Sequence, residues 1–165
     1  MRAAVLVPLF LKEGRLHLLF IKRAEEVEHH KGQISFPGGA IEESDESPLH
    51  AALREAWEEV GIEPRDVEIL GELDDEKTLS GLFLISPFVG LIPHPYKFRL
   101  RPEEVAGVLE VPLRELANPA NMRCEERDGV RTYSFKVGDE VIWGATARIV
   151  KKFIDLILPA LGSSL

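Results

Sequence analysis

Between Gly38 and Ile62 the chain reads GGAIEESDESPLHAALREAWEEVGI, and this segment limits the possible folds more than any other. Helix signals bracket its second half. Ser44 or Ser47 is a candidate N-cap, Pro48 suits a first turn, and Gly61 follows the last apolar residue as a stop. A helix over 47–60, turning about 100° per residue, sets Glu55, Glu58 and Glu59 within an arc of about 100°. Leu49, Ala52, Leu53, Ala56 and Val60 form a separate apolar stripe that needs a core to pack against. Arg54 lies one turn before Glu58, near enough to pair with it and fix its rotamer. Three carboxylates within one turn repel one another, and Arg54 offsets only part of that. A divalent cation would neutralise the rest, since hard ions such as Mg²⁺ take oxygen ligands and are commonly shared with substrate phosphates. Glutamates on a solvated helix face need have no chemistry at all. The Gly-Gly loop leading into this helix favours a site, because it permits close backbone approach beside the carboxylates.

The rest of the chain supplies a sheet for that helix. Residues 3–12 and 15–23 are apolar, β-rich runs split by Lys12-Glu13-Gly14-Arg15, which predicts a hairpin. A polar loop from Ala24 to Lys31 leads to a short apolar element at Ile34–Phe36, and Pro37-Gly38-Gly39 is expected to break regular structure. Further strands are expected at 67–73, 82–92 and 104–111, and Asp128-Gly129 predicts a tight hairpin between 122–127 and 130–137. A final amphipathic helix over about 144–158 carries Ile149, Val150, Phe153, Ile154 and Ile157 at helical spacing. The elements amount to a mixed sheet with two principal helices packed on it, an α+β or α/β/α arrangement. At 165 residues the chain is expected to form one domain spanning 1–165.

Composition narrows the partners. Twenty basic against 28 acidic residues give a formal charge of −8. That disfavours nucleic-acid or membrane-surface binding, which relies on Lys and Arg clusters. A small anionic substrate held through cations stays open. No uncharged stretch reaches the length of a membrane span. Met1-Arg2 and the apolar run to Leu11 only superficially resemble a signal peptide, and the final Ser-Ser-Leu is a weak echo of a peroxisomal address. A single cysteine, Cys124, cannot form an intramolecular disulfide, which fits a reducing cytoplasm. It has no recognisable partner for nucleophilic chemistry.

Arg54-Glu55-Ala56-Trp57-Glu58-Glu59-Val60-Gly61-Ile62 resembles the second half of the Nudix box, Arg-Glu-hydrophobic-x-Glu-Glu-x-Gly-hydrophobic. In the usual box one acidic residue keeps both the spacing from an upstream Gly and the spacing to the Arg. Here the interval from Gly39 to Arg54 is one residue longer, so Asp45 keeps the first spacing and Glu46 the second. The coenzyme A pyrophosphatase branch of the Nudix hydrolases has the same longer interval. Leu19-Phe20-Ile21-Lys22-Arg23-Ala24, Glu28, Gly32 and Phe36-Pro37-Gly38-Gly39 are similar to that branch's upstream signature. Ile21 replaces its usual Thr and Glu28 its usual Arg, for which Lys31 or Lys22 would have to substitute. Ser80-Gly81, Pro87 to Gly90, Glu104 to Pro112 and Trp143-Gly144-Ala145-Thr146-Ala147 also resemble the branch.

The resemblance implies a Nudix-type α/β/α sandwich and Mg²⁺- or Mn²⁺-dependent cleavage of a diphosphate. Glu55 and Glu59 would be metal ligands, and Glu58 a third ligand or the residue polarising the attacking water. Arg54 would serve catalysis by holding Glu58, and the Gly39 carbonyl would complete the metal's shell. Glu104 is the candidate general base. The implied substrate is coenzyme A or a derivative, giving 3′,5′-ADP and 4′-phosphopantetheine, with Gly38, Gly39 and Arg23 at the substrate. Lys31, Lys97, Arg99 and Arg101 are further candidates for the adenosine 3′-phosphate. Adjacent His29 and His30 lack paired metal-ligand spacing. Other Nudix substrates, such as ADP-ribose or a dinucleoside polyphosphate, remain alternatives, as does a non-catalytic nucleotide-binding module. No nucleic-acid or membrane partner is expected, and a homodimer is left open.

Overall fold

The computed structural model describes residues 1–25 and 32–162. At its centre is the expected hairpin: β1 (Arg2–Lys12) and β2 (Arg15–Arg23) pair antiparallel from Leu9↔Leu18 to Lys12↔Arg15. Glu13 and Gly14 both take positive φ, 53° and 74°, the conformation whose twist suits a two-residue hairpin turn. Leu6, Phe10, Leu19 and Ile21 face one side of the sheet, while Val7, Leu9, Leu18 and Phe20 face the other. Both strands are therefore buried on both faces, which explains runs that are apolar throughout rather than alternating.

Around this hairpin the main sheet runs β3 (Ile34–Ser35), β2, β1, β7 (Leu84–Leu91), β5 (Glu68–Glu72). Off this path β4 (Gly38–Ala40) pairs with β1, β6 (Glu76–Lys77) with β7, and β8 (Val105–Pro112) with β2. β1 and β7 are parallel from Arg2↔Leu84 to Leu9↔Leu91, and the other pairs are antiparallel, so the sheet is mixed as expected. α1 (Pro48–Val60) packs Ala51, Ala52, Ala56 and Val60 on one face, near Ala4, Leu6, Phe10 and Phe88. On the other face lie the short α2 (Leu113–Ala117) and the long α3 (Gly144–Leu161). Ile149, Val150, Phe153 and Ile154 of α3 join Val7, Leu18 and Phe20 in one cluster. A small antiparallel sheet of β9 (Met122–Arg127), β10 (Val130–Val137) and β11 (Glu140–Ile142) adds Phe135 and Ile142 to the same cluster. The result is the α/β/α sandwich, of mixed α+β class, that the sequence predicts.

Pro37-Gly38-Gly39 departs from the expectation of a break. Gly38 and Gly39 are extended and pair with β1 as Val5↔Gly38 and Ala4↔Gly39. The glycines serve close approach rather than a turn: a Cβ on Gly38 would stand 2.4 Å from the Ala4 carbonyl oxygen. β6, β11 and α2 were not expected, because elements of two to five residues show too little periodicity to be read. The Asp128-Gly129 turn forms as predicted, with φ of 52° and 75°. Among the described residues no helix is long and apolar enough to cross a membrane.

Candidate active site

Local signals fix α1 in place. The Ser47 hydroxyl accepts from the His50 amide at 3.1 Å, which settles the cap on Ser47 rather than Ser44. Gly61, at φ 75°, ends the helix by donating to the carbonyls of Ala56 and Trp57. With the alanine stripe buried on the sheet, the carboxylate arc turns toward β4. There the Gly38 amide donates to Glu59 Oε1 at 2.8 Å. Gly39 is held just as closely, since a Cβ at that position would come 2.7 Å from the Glu55 carboxyl carbon.

The sequence places all three glutamates on one polar arc, but their environments differ. Glu59 is only 2% exposed. Burial pushes its carboxyl up to about 8; the Gly38 N–H and the Arg23 charge pull it down, and Glu55 and Glu104 push it further up. Burial likewise raises Glu55, against the Arg54 guanidinium and with help from Glu58 and Glu104. Glu104 thus belongs to the same acidic cluster although it lies far along the chain. The Ala24 amide donates to its carbonyl at 2.9 Å, and its carboxylate is 3.6 Å from Arg101.

Arg54 organises the polar side of α1. Its Nη1 donates to Glu55 at 3.1 Å and to Glu58 at 3.2 Å. Its Nε and Nη2 clasp Asp45 at 2.8 and 3.0 Å, and Nη2 also reaches the Ala40 carbonyl at 3.3 Å. Asp45 has no exposed side-chain surface. It also accepts from the Glu42 amide at 2.8 Å and lies 3.0 Å from His50 Nδ1. Arg54 and these bonds hold its carboxyl well below the usual carboxylate range. Asp45, not the exposed Glu46, is therefore the acidic residue tied to the Nudix-like helix.

Arg23 sits where the β2–β8 register slips, between Lys22 and Arg23, an irregularity of the kind that re-aims a side chain. With Gly38, Gly39 and Phe36 it lines a cleft of about 450 Å³. The far walls are Thr78 to Ser80, Phe83, Trp143 to Thr146 and Arg148. Ser80 and Trp143-Gly144-Ala145-Thr146 are thus brought to the cleft from distant parts of the sequence, where resemblance alone marked them. Arg148 escaped the sequence reading; its signal is a cation set between the apolar Ala147 and Ile149-Val150 of α3, just ahead of Lys151-Lys152.

Several candidates lie elsewhere. Arg99 and Arg101 line a separate depression beside Trp57 and Glu58, where the Arg99 guanidinium stands 5.4 Å from the Trp57 ring centroid. Lys97 is exposed and lines neither hollow. Backbone bonds from Arg99 to Val60 and from Arg101 to Glu59 draw that segment to the C-terminal end of α1, away from the cleft. Lys22 is committed to Glu140 at 2.6 Å, so it does not replace the Arg missing at position 28. Glu28, His29, His30 and Lys31 lie outside the described residues. Cys124 is an exposed free thiol.

The donor set suits a hard divalent cation in kind: three carboxylates on one face, with a buried one that lacks a full counter-charge. Among the described residues no three such groups converge as a ready-made ligand set. Arg54 holds Glu55 and Glu58, and the Gly38 amide holds Glu59. A cation would compete with these bonds for the same oxygens.

Comparison with known proteins agrees with this geometry. Residues 1–133 match the NUDIX domain. A protein of Enterobacter sp. (strain 638) named uncharacterized Nudix hydrolase NudL is 40% identical over 156 residues, which cover 92% of this chain and 80% of the relative. Among solved structures, a MutT/nudix family protein from Enterococcus faecalis superposes with a TM-score of 0.69 at 16% identity, covering 98% of this chain and 63% of that one. The NUDIX domain of Shewanella oneidensis NrtR, solved with ADP ribose, gives a TM-score of 0.57 at 21% identity over 71% of this chain and 75% of that one. The glutamates of α1, the glycine strand beside them and the sequence likeness along nearly the whole chain lead to one conclusion: this chain belongs to the Nudix hydrolases.

Proposed function

We propose that this Nudix hydrolase cleaves the diphosphate of coenzyme A or its derivatives, releasing 3′,5′-ADP and 4′-phosphopantetheine. The observation carrying this reading is the cleft, whose lining brings Arg23, Phe36, Gly38 and Gly39 together with Trp143 to Thr146, from two segments that resemble the coenzyme A branch, while Gly38 and Gly39 lie against Glu59 and Glu55 of α1. Its apolar walls, Phe36, Leu79, Phe83 and Trp143, suit the less polar parts of such a substrate, and Arg23 stands beside the glycine strand for the diphosphate.

Glu55, Glu58 and Glu59 would hold Mg²⁺ or Mn²⁺. Such an ion supplies charge neutralisation at the phosphoryl oxygens and a more acidic bound water. The chain's own residues do the rest. Arg54, fixed by Asp45, bonds Glu58 and restricts its rotamer. Gly38 and Gly39 keep the floor of the site free of side chains. Glu104 reaches the cluster from another loop and is the proposed acceptor of the attacking water's proton. Arg23 partly balances the buried charge of Glu59 while presenting a cation to the substrate.

Product analysis tests this directly. Purified protein with Mg²⁺ or Mn²⁺ would meet coenzyme A, acetyl-coenzyme A, ADP-ribose and diadenosine polyphosphates, with Glu59→Gln as the control. Release of 3′,5′-ADP and 4′-phosphopantetheine, lost in the variant, is expected. Cleavage confined to the other compounds would overturn the coenzyme A assignment and favour the ligand class seen with the NrtR domain.

A further inference from the structure

The wall of the cleft opposite the glycine strand holds a cation that the machinery above does not use. Arg148 lines the cleft from the first turns of α3, and its side chain is only 11% exposed. Two of its donors are committed: Nε to Glu76 Oε1 and Nη2 to the Lys77 carbonyl at 2.9 Å. Glu76 is itself buried, and its other oxygen takes Lys152 Nζ at 2.7 Å. One carboxylate therefore serves two cations. Nearby, the Asp75 carboxylate is engaged by the Ser86 hydroxyl at 2.8 Å and lies 3.9 Å from Arg2.

The third guanidinium nitrogen, Arg148 Nη1, is buried and has no hydrogen-bond partner among the described residues. Arg23 Nε is the other buried side-chain atom in that condition, and it belongs to a residue on the same cleft. Buried donors are almost always paired, so two orphaned guanidinium donors around one cleft mark absent acceptors. A guanidinium stays charged at any working pH, and its planar edge suits phosphate oxygens. Arg23 faces the Glu59 end, where the diphosphate belongs in the proposed reaction. Arg148 therefore has a different anionic group to receive. Among the described residues the other candidates for that role are elsewhere: Lys97, Arg99 and Arg101 do not line the cleft, and Lys22 is bound to Glu140.

Building on the coenzyme A reading, we infer that Arg148, positioned by Glu76, binds the phosphate monoester on the adenosine 3′ position. The residue then sets specificity for the phosphorylated nucleotide over its dephosphorylated counterpart. Glu76 acts through Arg148, and Lys152 keeps Glu76 in place.

Calorimetric titration of the whole chain with 3′,5′-ADP and with 5′-AMP isolates that phosphate without any need for turnover. A charge-assisted contact predicts that 3′,5′-ADP binds about tenfold to hundredfold more tightly. Arg148→Gln is expected to erase the difference while leaving 5′-AMP affinity within about twofold, and Arg148→Lys, which keeps a cation beside Glu76, to retain part of it. Equal affinities in the wild type, or an equal loss for both nucleotides in a folded Arg148→Lys protein, would overturn the assignment. Hydrolysis of coenzyme A and dephospho-coenzyme A separates this inference from the reading beneath it. Failure to cleave coenzyme A, with the binding difference present and lost in Arg148→Gln, sinks the substrate and keeps Arg148. Equal kcat/KM for both thiols keeps the reaction and sinks Arg148's role.

Discussion

The two adjacent glycines of β4 should answer the same substitution in opposite ways. An alanine Cβ at Gly38 would lie 2.4 Å from the Ala4 carbonyl oxygen, 2.6 Å from Val5 Cγ1 and 2.7 Å from Val5 Cα, obstacles that are mostly backbone. Restoring a contact of about 3.2 Å parts the strands by about 0.8 Å, which stretches an ordinary ladder bond of about 2.9 Å beyond hydrogen-bonding range. Overpacking of this kind costs about 1–3 kcal/mol. Displacing the Gly38 amide from Glu59 leaves a buried carboxylate oxygen short of a donor, for about 1–3 kcal/mol more. Gly38→Ala is therefore expected to lose about 2–6 kcal/mol, or roughly 5–20 °C in Tm for a chain of this size. At Gly39 the obstacle is the end of a side chain, the Glu55 carboxyl at 2.7 Å, which can rotate aside. Gly39→Ala should cost under about 1 kcal/mol in stability, yet weaken Mn²⁺ binding by about tenfold or more, because Glu55 is pushed from its place. Urea unfolding monitored by far-UV dichroism and calorimetric Mn²⁺ titration measure the two effects. A Gly38→Ala protein within about 1 kcal/mol of wild type, or a Gly39→Ala protein equally destabilised, would refute the reasoning.

Asp45→Ala removes the covered partner of Arg54 and is expected to cost about 3 kcal/mol. Because Asp45's carboxyl is held below its ordinary value in the folded state, its contribution is present above the unfolded value and fades as acid reaches the folded one. The wild type and variant should converge in stability only in strong acid, and a constant difference throughout an acid titration would contradict that account. Glu59 has the opposite sign: with its folded value raised to about 8, ionisation opposes folding as pH rises from about 4.5 toward 8. In EDTA, Glu59→Gln should therefore gain stability over wild type across that window, as thermal unfolding at several pH values would reveal; saturating Mg²⁺ should shrink or reverse the gain. Glu104→Gln should lower kcat by about 10²-fold or more with a smaller change in KM. An unaltered pH–rate profile in that variant would remove Glu104 from the proton-accepting role.

Much of this fold is visible in the sequence because its larger elements carry strong local signals. The β1–β2 hairpin announces itself through two apolar runs and a Glu-Gly turn, and α1 through Ser47, Pro48 and Gly61. The brief elements are set by tertiary contact instead. β4 exists because β1 offers it an edge and because glycine lets the backbones approach. The helix periodicity separates Glu55, Glu58 and Glu59 from the core stripe, but it cannot show that β4 will cover Glu59 and leave Glu58 more open. Arg148 was hidden for a similar reason. Its meaning depends on Glu76, 72 residues away, and on an unpaired nitrogen that only packing reveals.

The longer interval between Gly39 and Arg54 shows how one added residue can leave a site's logic intact. A helix fixes Arg54 relative to Glu55 and Glu58, so the loop need deliver only one carboxylate to the guanidinium's far edge. Asp45 meets that need by closing its own turn, with the Glu42 and Asp45 backbones bonded at 3.0 Å and the Asp45 side chain accepting from the Glu42 amide. The turn takes up slack while Glu46 is turned outward. What the spacing must preserve is thus the clasp on Arg54 rather than a count of residues. That clasp matters beyond stability. A guanidinium held by Asp45 on Nε and Nη2 can reach Glu55 and Glu58 only through Nη1. The same loop that tolerates the insertion therefore limits where two of the three site carboxylates can stand.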